Sequence, residues 1–351
     1  MVLLRIVGFL AALALLAMGV RGYRRRVLGL PDASIVVVLA LCLGGLSLAP
    51  FAVDPLLRNL GFPPGGGRRV LGVLVISNLI TYLLLFRSLA KIDVAEATTG
   101  ELSDRIAARA FLDRYGRGGR APGSAGKLVV VIPALNEEKS LPGVLADIPE
   151  RVAALDVEVI VVSDGSTDST EEVAASHGAL VAGRDLRRGQ GAAVVLGYRL
   201  ALERGADVVA TLDADGQYDP KELPDLIAPI LEGEAEVTHG SRVLGHYEQP
   251  LPGRSVGVKV FAWITSLLTG VRITDPASGF RAFSPHALRI LSFKENQFHA
   301  SEVTVGAVKR GLRVKEVPCT FRERSAGTTK KPPLLEYGLG YARTLMRTWL
   351  R

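Results

Sequence analysis

Asp213 and Asp215 stand one residue apart at the end of an apolar run, Val208-Val-Ala-Thr-Leu-Asp-Ala-Asp-Gly-Gln217. Val208 to Leu212 reads as a buried strand, and Gly216 ends it. In an extended chain residues two apart share a face, so both carboxylates point the same way, with Gln217 two residues further on. Carboxylates this close repel each other, and a divalent cation relieves the repulsion. Hard oxygen ligands suit Mg²⁺ or Mn²⁺, ions that keep waters and also bind substrate phosphate. The pair therefore points to a metal and diphosphate site at the C-terminal end of a strand. Surface loops often carry this spacing; its place after a buried strand sets it apart.

The elements that must position such a site begin at residue 127. Lys127–Ile132 and Val157–Val162 are near-continuous aliphatic runs, as in strands buried on both faces. Shorter strands fit Leu180–Ala182, Val208–Leu212 and Val237–Gly240. Helical patterns lie between them at Glu138–Ile148, Ser169–His177, Gly191–Glu203 and Pro220–Glu232. The alternation predicts an α/β domain with a largely parallel sheet. Ligands of such sheets sit outside the carboxyl ends of the strands. Three polar clusters fall there: Pro133-Ala-Leu-Asn-Glu137, Ser163-Asp-Gly-Ser-Thr-Asp168 and the Asp213/Asp215 pair. Taken singly, Asn136, Glu137, Thr167 or Asp168 would serve equally as helix caps. No GxGxxG follows the first strand, which disfavours a nicotinamide dinucleotide site.

The formal charge of the 351-residue chain is +7. Residues 1–91 hold ten basic and two acidic groups, and the remaining 260 hold 32 and 33. The basic excess thus belongs to the N-terminal segment, and no nucleic acid is expected as a partner. Cys42 and Cys319 are the only cysteines, which excludes a disulfide framework. His177, His239, His246, His286 and His299 lack metal-ligand spacing, which disfavours zinc.

Three apolar stretches, Ile6–Val20, Ala33–Val53 and Val70–Phe86, each approach the roughly 20 residues that cross a bilayer. The first loop carries Arg21, Arg24, Arg25 and Arg26, and the second, Asp54–Arg69, carries three Arg and one Asp. The positive-inside rule places the first loop in the cytoplasm, the N-terminus outside and everything after Phe86 in the cytoplasm. A leader with Ala17-Met-Gly19 as its small-residue site is the competing reading, disfavoured by the two further spans. The expected organisation is a three-helix transmembrane domain at 1–90, a juxtamembrane segment and Gly-rich linker at 91–126, a catalytic domain at 127–330 and an amphipathic helix at 331–351. Lys91–Tyr115 reads as a polar helix near the membrane surface.

Seven motifs in order carry a resemblance. They are the two loop clusters above, Gly189-Gln-Gly-Ala-Ala193, Asp213-Ala-Asp-Gly-Gln217, His239-Gly-Ser-Arg242, Asp275-Pro-Ala-Ser-Gly-Phe-Arg281 and Arg324-Ser-Ala-Gly-Thr-Thr-Lys330. Together they resemble glycosyltransferase family 2 of the GT-A fold, and within it the polyprenyl-phosphate sugar synthases of the dolichol-phosphate mannose synthase type. The resemblance implies a Rossmann-like α/β domain with a mostly parallel sheet, and inverting transfer from a UDP- or GDP-linked hexose to a polyprenyl phosphate. It implies that Pro133, Asn136 and Glu137 line the nucleotide pocket and that Asp164 contacts base or ribose. Asp213, Asp215 and Gln217 would form the metal and diphosphate cluster. Arg242 and Arg254 would lie near the acceptor phosphate, and Arg324 and Lys330 would hold the donor diphosphate. Two departures stand out: relatives commonly have two acids before Gly-Ser where this chain has Ser163-Asp164, and commonly an Asn where it has Arg187-Arg188.

The chemistry supports the same reading. Negative charge grows on a departing diphosphate, and a cation with Arg and Lys stabilises it. An alcohol acceptor needs a general base. A phosphate monoester is already largely dianionic, with a second pKa of about 6, and needs positioning cations instead. Val256–Leu268, with Phe261 and Trp263, suits an interfacial helix. At 100° per residue Leu335, Leu339, Ala342, Leu345, Met346, Trp349 and Leu350 share an arc beside Arg343, Arg347 and Arg351, an amphipathic pattern suited to an anionic leaflet. The competing reading is a core helix for the first stretch and a helix docked on the catalytic domain for the second. A family 2 enzyme acting on a glycolipid or polysaccharide is the alternative function; Arg343-x-x-x-Arg347-Thr-Trp349 lacks the spacing of processive synthases. An inactive scaffold is opposed by the complete acidic cluster, and assembly into a homo-oligomer is left open.

Overall fold

A computed structural model describes residues 2–25, 29–49, 54–59, 68–119, 125–248, 252–294, 299–324 and 334–350. The chain divides into two units, Met1–Ala95 and Glu96–Arg351. The first contains α1 (Val2–Arg24), α2 (Leu30–Leu48) and the short α3 (Asp54–Asn59). Among the described residues two helices are long and apolar enough to cross a membrane, over Arg5–Arg24 and Pro31–Leu48. The third apolar stretch opens α4 (Arg68–Tyr115), which continues through the segment expected to form a separate juxtamembrane helix. No proline falls between Arg68 and Tyr115, so nothing stops the helix where polarity changes. Asp32 of α2 pairs with Arg87 at 3.0 Å and with Lys91, tying α2 to α4 within the first unit.

The second unit runs β1 (Gly126–Ala134), α5 (Leu141–Asp147), β2 (Arg151–Val152), β3 (Leu155–Asp164), α6 (Thr170–Ser176), β4 (Leu180–Arg184), α7 (Gln190–Glu203), β5 (Val208–Thr211) and α8 (Leu223–Leu231). It continues with β6 (Val237–Tyr247), α9 (Pro252–Thr269), β7 (Arg281–Phe283), α10 (Pro285–Ile290), α11 (His299–Lys309), β8 (Val314–Phe321) and α12 (Leu334–Leu350). The strands form one sheet in the order β2-β3-β1-β5-β7-β6-β8, with β4 also pairing β3. β1 is parallel to β3 and β5, β3 to β4, and β6 to β8. β7 is antiparallel to both of its neighbours, β5 and β6, so the sheet is mixed there. The loop before β7 lies at the carboxyl edge of the sheet, beside Asp213, so the chain must run back from it.

Alternation along β1 builds two cores. Leu128, Val130 and Ile132 meet Leu141, Val144 and Leu226 on one face; Val129 and Val131 meet Phe111, Leu196 and Leu200 on the other. All five β1 side chains are wholly buried, which is why the run is aliphatic without a break. Phe111 belongs to α4, so the C-terminal half of that helix is part of the second core.

A third cluster joins α9, α11 and α12: Val305, Tyr341 and Leu345 pack with Phe261, Ile264 and Leu268. The C-terminal helix is therefore docked. Its inner face is Tyr341, Thr344, Leu345 and Thr348, at helical spacings of three and four. Met346, Trp349 and Leu350 point outward with Arg343 and Arg347. On α9, Val260, Trp263 and Leu267 are likewise exposed, Trp263 at 67%. Leu345 thus parts from the arc expected of it, because Tyr341 and two threonines complete the docking face.

Candidate functional site

Parallel pairing brings the ends of β1, β3 and β5 to one edge, and the polar clusters lie just beyond. After β1, Asn136 turns the chain with a φ of 50°, a conformation Asn tolerates better than most residues. Its side-chain oxygen accepts from the Thr167 N–H at 2.8 Å, and its own N–H donates to Ser166 Oγ at 3.1 Å. The Glu137 N–H donates to Thr170 Oγ1 at 2.9 Å. These bonds stitch the β1 loop to the β3 loop.

Pro133, Glu137, Asp164, Asp213, Asp215, Gln217, Arg242 and Arg324 line a single cleft. β5 ends at Thr211, and Asp215 lies in a turn closed by Gly216, whose φ is 73°. The two carboxylates therefore reach the same cleft through a turn and not through the pleat of a strand. Gln190 Nε2 donates to Asp213 Oδ1 at 2.7 Å. Asp215 Oδ1 accepts from the Gln217 N–H at 3.0 Å, and its Oδ2 pairs with Arg324 Nη2 at 2.8 Å. Arg324 also reaches Glu137 Oε1 at 3.5 Å, so one guanidinium spans the β1 loop and the β5 turn. The Gln217 amide donates to the Arg322 carbonyl at 3.4 Å.

Asp164 is 3% exposed and both of its oxygens are engaged. Oδ1 accepts from Arg184 Nη2 and from the Arg188 N–H at 2.9 Å; Oδ2 accepts from the Gly189 N–H at 2.6 Å. Arg242 is held by the wholly buried Asp275 through two parallel bonds of 2.6 and 2.7 Å. Its guanidinium lies over the Phe321 ring at 4.7 Å. Such a fork-to-fork pair fixes the orientation as well as the charge of the arginine. Arg254 falls in the first turn of α9, and its side chain, like all of Lys330, lies outside the described residues.

Sequence reasoning missed further cleft residues: Gln190, Tyr218, His299 and Tyr341. Gln190 stands inside a quoted motif but had no role. The Tyr218 ring stacks on Phe280, and its hydroxyl accepts from the Gly279 N–H at 3.1 Å, fixing the loop before β7. His299 opens α11 and is 4% exposed; burial, reinforced by the field of Arg281, pushes its ring down to about 3. Its ring is therefore neutral at physiological pH. Nothing in the sequence places it near Asp213.

Among the described residues no three His, Cys, Asp or Glu side chains gather closely enough to hold a metal by themselves. Two carboxylates in one cleft still fit an ion of the Mg²⁺ class, which takes one or two carboxylates and completes its shell with phosphate oxygens and water.

The profile of Glycosyl transferase family 2 matches residues 129–293. Over 218 residues the chain is 33% identical to the UDP-N-acetylglucosamine–dolichyl-phosphate N-acetylglucosaminyltransferase of Methanococcus voltae, covering 55% of this chain and 85% of that one. The undecaprenyl-phosphate mannosyltransferase of Micrococcus luteus is 32% identical over 222 residues, covering 58% and 87%. The chain is a family 2 glycosyltransferase. Its fold is similar to that of the glucosyl-3-phosphoglycerate synthase of Mycobacterium tuberculosis, solved with Mn²⁺, uridine diphosphate and glucosyl-3-phosphoglycerate, with a TM-score of 0.50, 27% identity and coverage of 64% of this chain and 80% of that one. In this glycosyltransferase the family match stops before Arg324, α11 and α12 and starts after α4.

Proposed function

We propose that this glycosyltransferase moves a hexose from a UDP- or GDP-linked donor to a polyprenyl phosphate at the cytoplasmic face of a membrane. The observation that carries the reading is the meeting of Asp213, Asp215 and Arg324 in a cleft that also takes Tyr341 and His299 from α12 and α11. α12 and its neighbour α9 turn Trp349 and Trp263 outward, as helices lying in a membrane interface do. The M. voltae and M. luteus relatives are named for dolichyl-phosphate and undecaprenyl-phosphate acceptors, and the M. tuberculosis neighbour holds uridine diphosphate. All three support the reading.

Pro133, Asn136, Glu137 and Asp164 belong to the nucleotide side, Asn136 and Asp164 by shaping its loops. A Mg²⁺ or Mn²⁺ ion bound by Asp213 and Asp215, with Gln217 beside them, would supply positive charge to the diphosphate. Arg324, with Lys330 further along the same motif, supplies cationic hydrogen bonds where the leaving-group charge develops. The bond from the anomeric carbon to the donor diphosphate breaks as an acceptor phosphate oxygen bonds to that carbon from the opposite side, which inverts its configuration. The acceptor is already a dianion and gives up no proton, so the cleft needs no general base. Arg242, braced by Asp275, and Arg254 orient that acceptor phosphate. The three apolar stretches of residues 1–90 anchor the chain, and the loop of Arg21, Arg24, Arg25 and Arg26 sets the cytoplasmic side.

The test is transfer of label from a panel of UDP- and GDP-linked hexoses into an organic-extractable lipid, with purified protein, Mn²⁺ and undecaprenyl phosphate. One donor is expected to give product. No product from any donor, with correctly folded protein, would contradict the reading.

A further inference from the structure

Asp164 and the loop that follows β4 are held by a residue far outside the family match. Arg184, whose side chain is wholly buried, directs one amino group to Asp164 and the other, Nη1, to Asp104 Oδ1 at 2.8 Å. Arg184 Nε has no partner, so these two contacts carry its anchoring. Arg188 Nη1 donates to Asp104 Oδ2 and to the Gly100 carbonyl at 2.9 Å. Asp104 and Asp164 are thus linked twice, by the Arg184 guanidinium and by Arg188, which gives Asp104 its guanidinium and Asp164 its backbone N–H, so the contacts close into a ring. Remove Asp104, and the Arg188 guanidinium loses its carboxylate while the buried Arg184 keeps only Asp164, which leaves a cation poorly paired in a largely buried place, a strongly unfavourable arrangement.

The ring sits directly behind the cleft. Asp164 accepts from the Arg188 and Gly189 amides, and Arg187, Gly189 and Gln190 line the cleft. Gln190 then bonds Asp213. Polar contacts from Asp104 and the backbone of residues 188–190 therefore connect α4 to the carboxylate proposed to hold the metal. The loop it fixes, 184–190, brings Arg187 to the lining of the cleft, a cationic group suited to phosphate oxygens. Docking of α4 does not depend on this ring, because Ala107, Ala108 and Phe111 already bury the helix in the second core.

We propose that Asp104 is a positioning residue of the donor site: through Arg184 and Arg188 it holds loop 184–190 in the shape that accepts a nucleoside diphosphate. This rests on the donor role proposed for the cleft. Asp104 lies in the part of α4 that belongs to the second unit.

The experiment uses the full chain in detergent micelles, titrated calorimetrically with UDP and with GDP, each in the presence of Mn²⁺. Asp104→Asn keeps the shape and removes the charge. It is expected to weaken binding of whichever nucleotide the wild type takes by about tenfold, that is about 1.4 kcal/mol. Asp104→Glu should recover most of that loss, and Arg109→Ala, which removes only an exposed pair with Asp113 on the same helix, should change nothing. Hydrogen exchange gives a readout independent of nucleotide: the Arg188 and Gly189 amides should exchange faster in Asp104→Asn, while Val130 and Val131 in β1 stay protected. Wild-type affinity together with unchanged exchange in Asp104→Asn overturns the inference. Loss of protection throughout β1 and β3 also overturns it, since Asp104 would then be an anchor of the fold. A wild type that binds neither nucleotide refutes the donor reading itself, whatever the exchange of loop 184–190 shows.

Discussion

Asp215 is engaged by Arg324 and by the Gln217 amide at once, which holds its carboxylate in the cleft before any ligand arrives. Replacing it with Asn keeps the shape and removes the charge. Asp215→Asn should lower the rate at saturating donor by about 100- to 1000-fold, the usual cost of losing one preorganised electrostatic contact, while the thermal midpoint stays close to wild type. Initial rates with a melting curve check this; full activity in a folded variant would contradict it. Arg242 is different, since its partner Asp275 is wholly buried. Arg242→Ala leaves that carboxylate unpaired and should cost about 3–5 kcal/mol of stability, visible as a lowered denaturation midpoint. His239 and His299 give a pH signature. Burial first, then Arg281, holds both rings far below their ordinary range, so they stay neutral in the folded chain. Below about pH 6.5 the unfolded chain binds protons that the folded chain does not. Stability is therefore full above that pH and falls as pH drops through it, by about 1.4 kcal/mol per pH unit for each ring. His299→Gln should flatten that fall when denaturation midpoints are compared between about pH 7 and about pH 5; an equally steep fall would show that His299 takes no part. At this scale eight of the residues singled out by type and spacing line one cleft, Asn136 does not, and the partners of all of them were not legible. Asp213 and Asp215 announce themselves by type and spacing. Asp275, 33 residues from Arg242, is joined to it only by the fold.

Strand-by-strand reading succeeded where burial on both faces forces an aliphatic run, as in β1 and β3. It failed at β7, whose three residues are too few to show a period and whose direction is set by the loop before it. It also divided α4, because a change from apolar to polar composition does not end a helix without a stop signal. The close approach of α7 to the sheet depends on Gly197: a Cβ there would lie 2.2 Å from Val131 Cγ1. Gly197→Ala should therefore destabilise by about 1–3 kcal/mol through overpacking, even though alanine is the better helix former. A denaturant midpoint equal to or above wild type would contradict this packing. A Cβ on Gly279 would meet Asp213 Oδ2 at 2.8 Å. The loop before β7 is thus shaped to leave that carboxylate in place.

Across the whole molecule, charge and hydropathy separate sharply between an N-terminal segment that is basic and apolar and a remainder close to neutral. That division was visible in composition alone; the structure divides the chain between Ala95 and Glu96. The docking of α12 was one of two readings, and hydropathy could not choose it, because two of the four residues on the docked face are Thr344 and Thr348 while Met346, Trp349 and Leu350 face outward. The central claim of the proposed function concerns what attacks the donor: an acceptor that is already anionic and so calls on cations in the cleft and not on a base. The measurement that tests it most directly compares undecaprenyl phosphate with undecaprenol as acceptor for the same labelled nucleotide sugar, with and without EDTA. Transfer to the phosphate alone, abolished by the chelator and restored by Mn²⁺, is the predicted result. Equal transfer to the alcohol, or transfer indifferent to the chelator, would contradict the account.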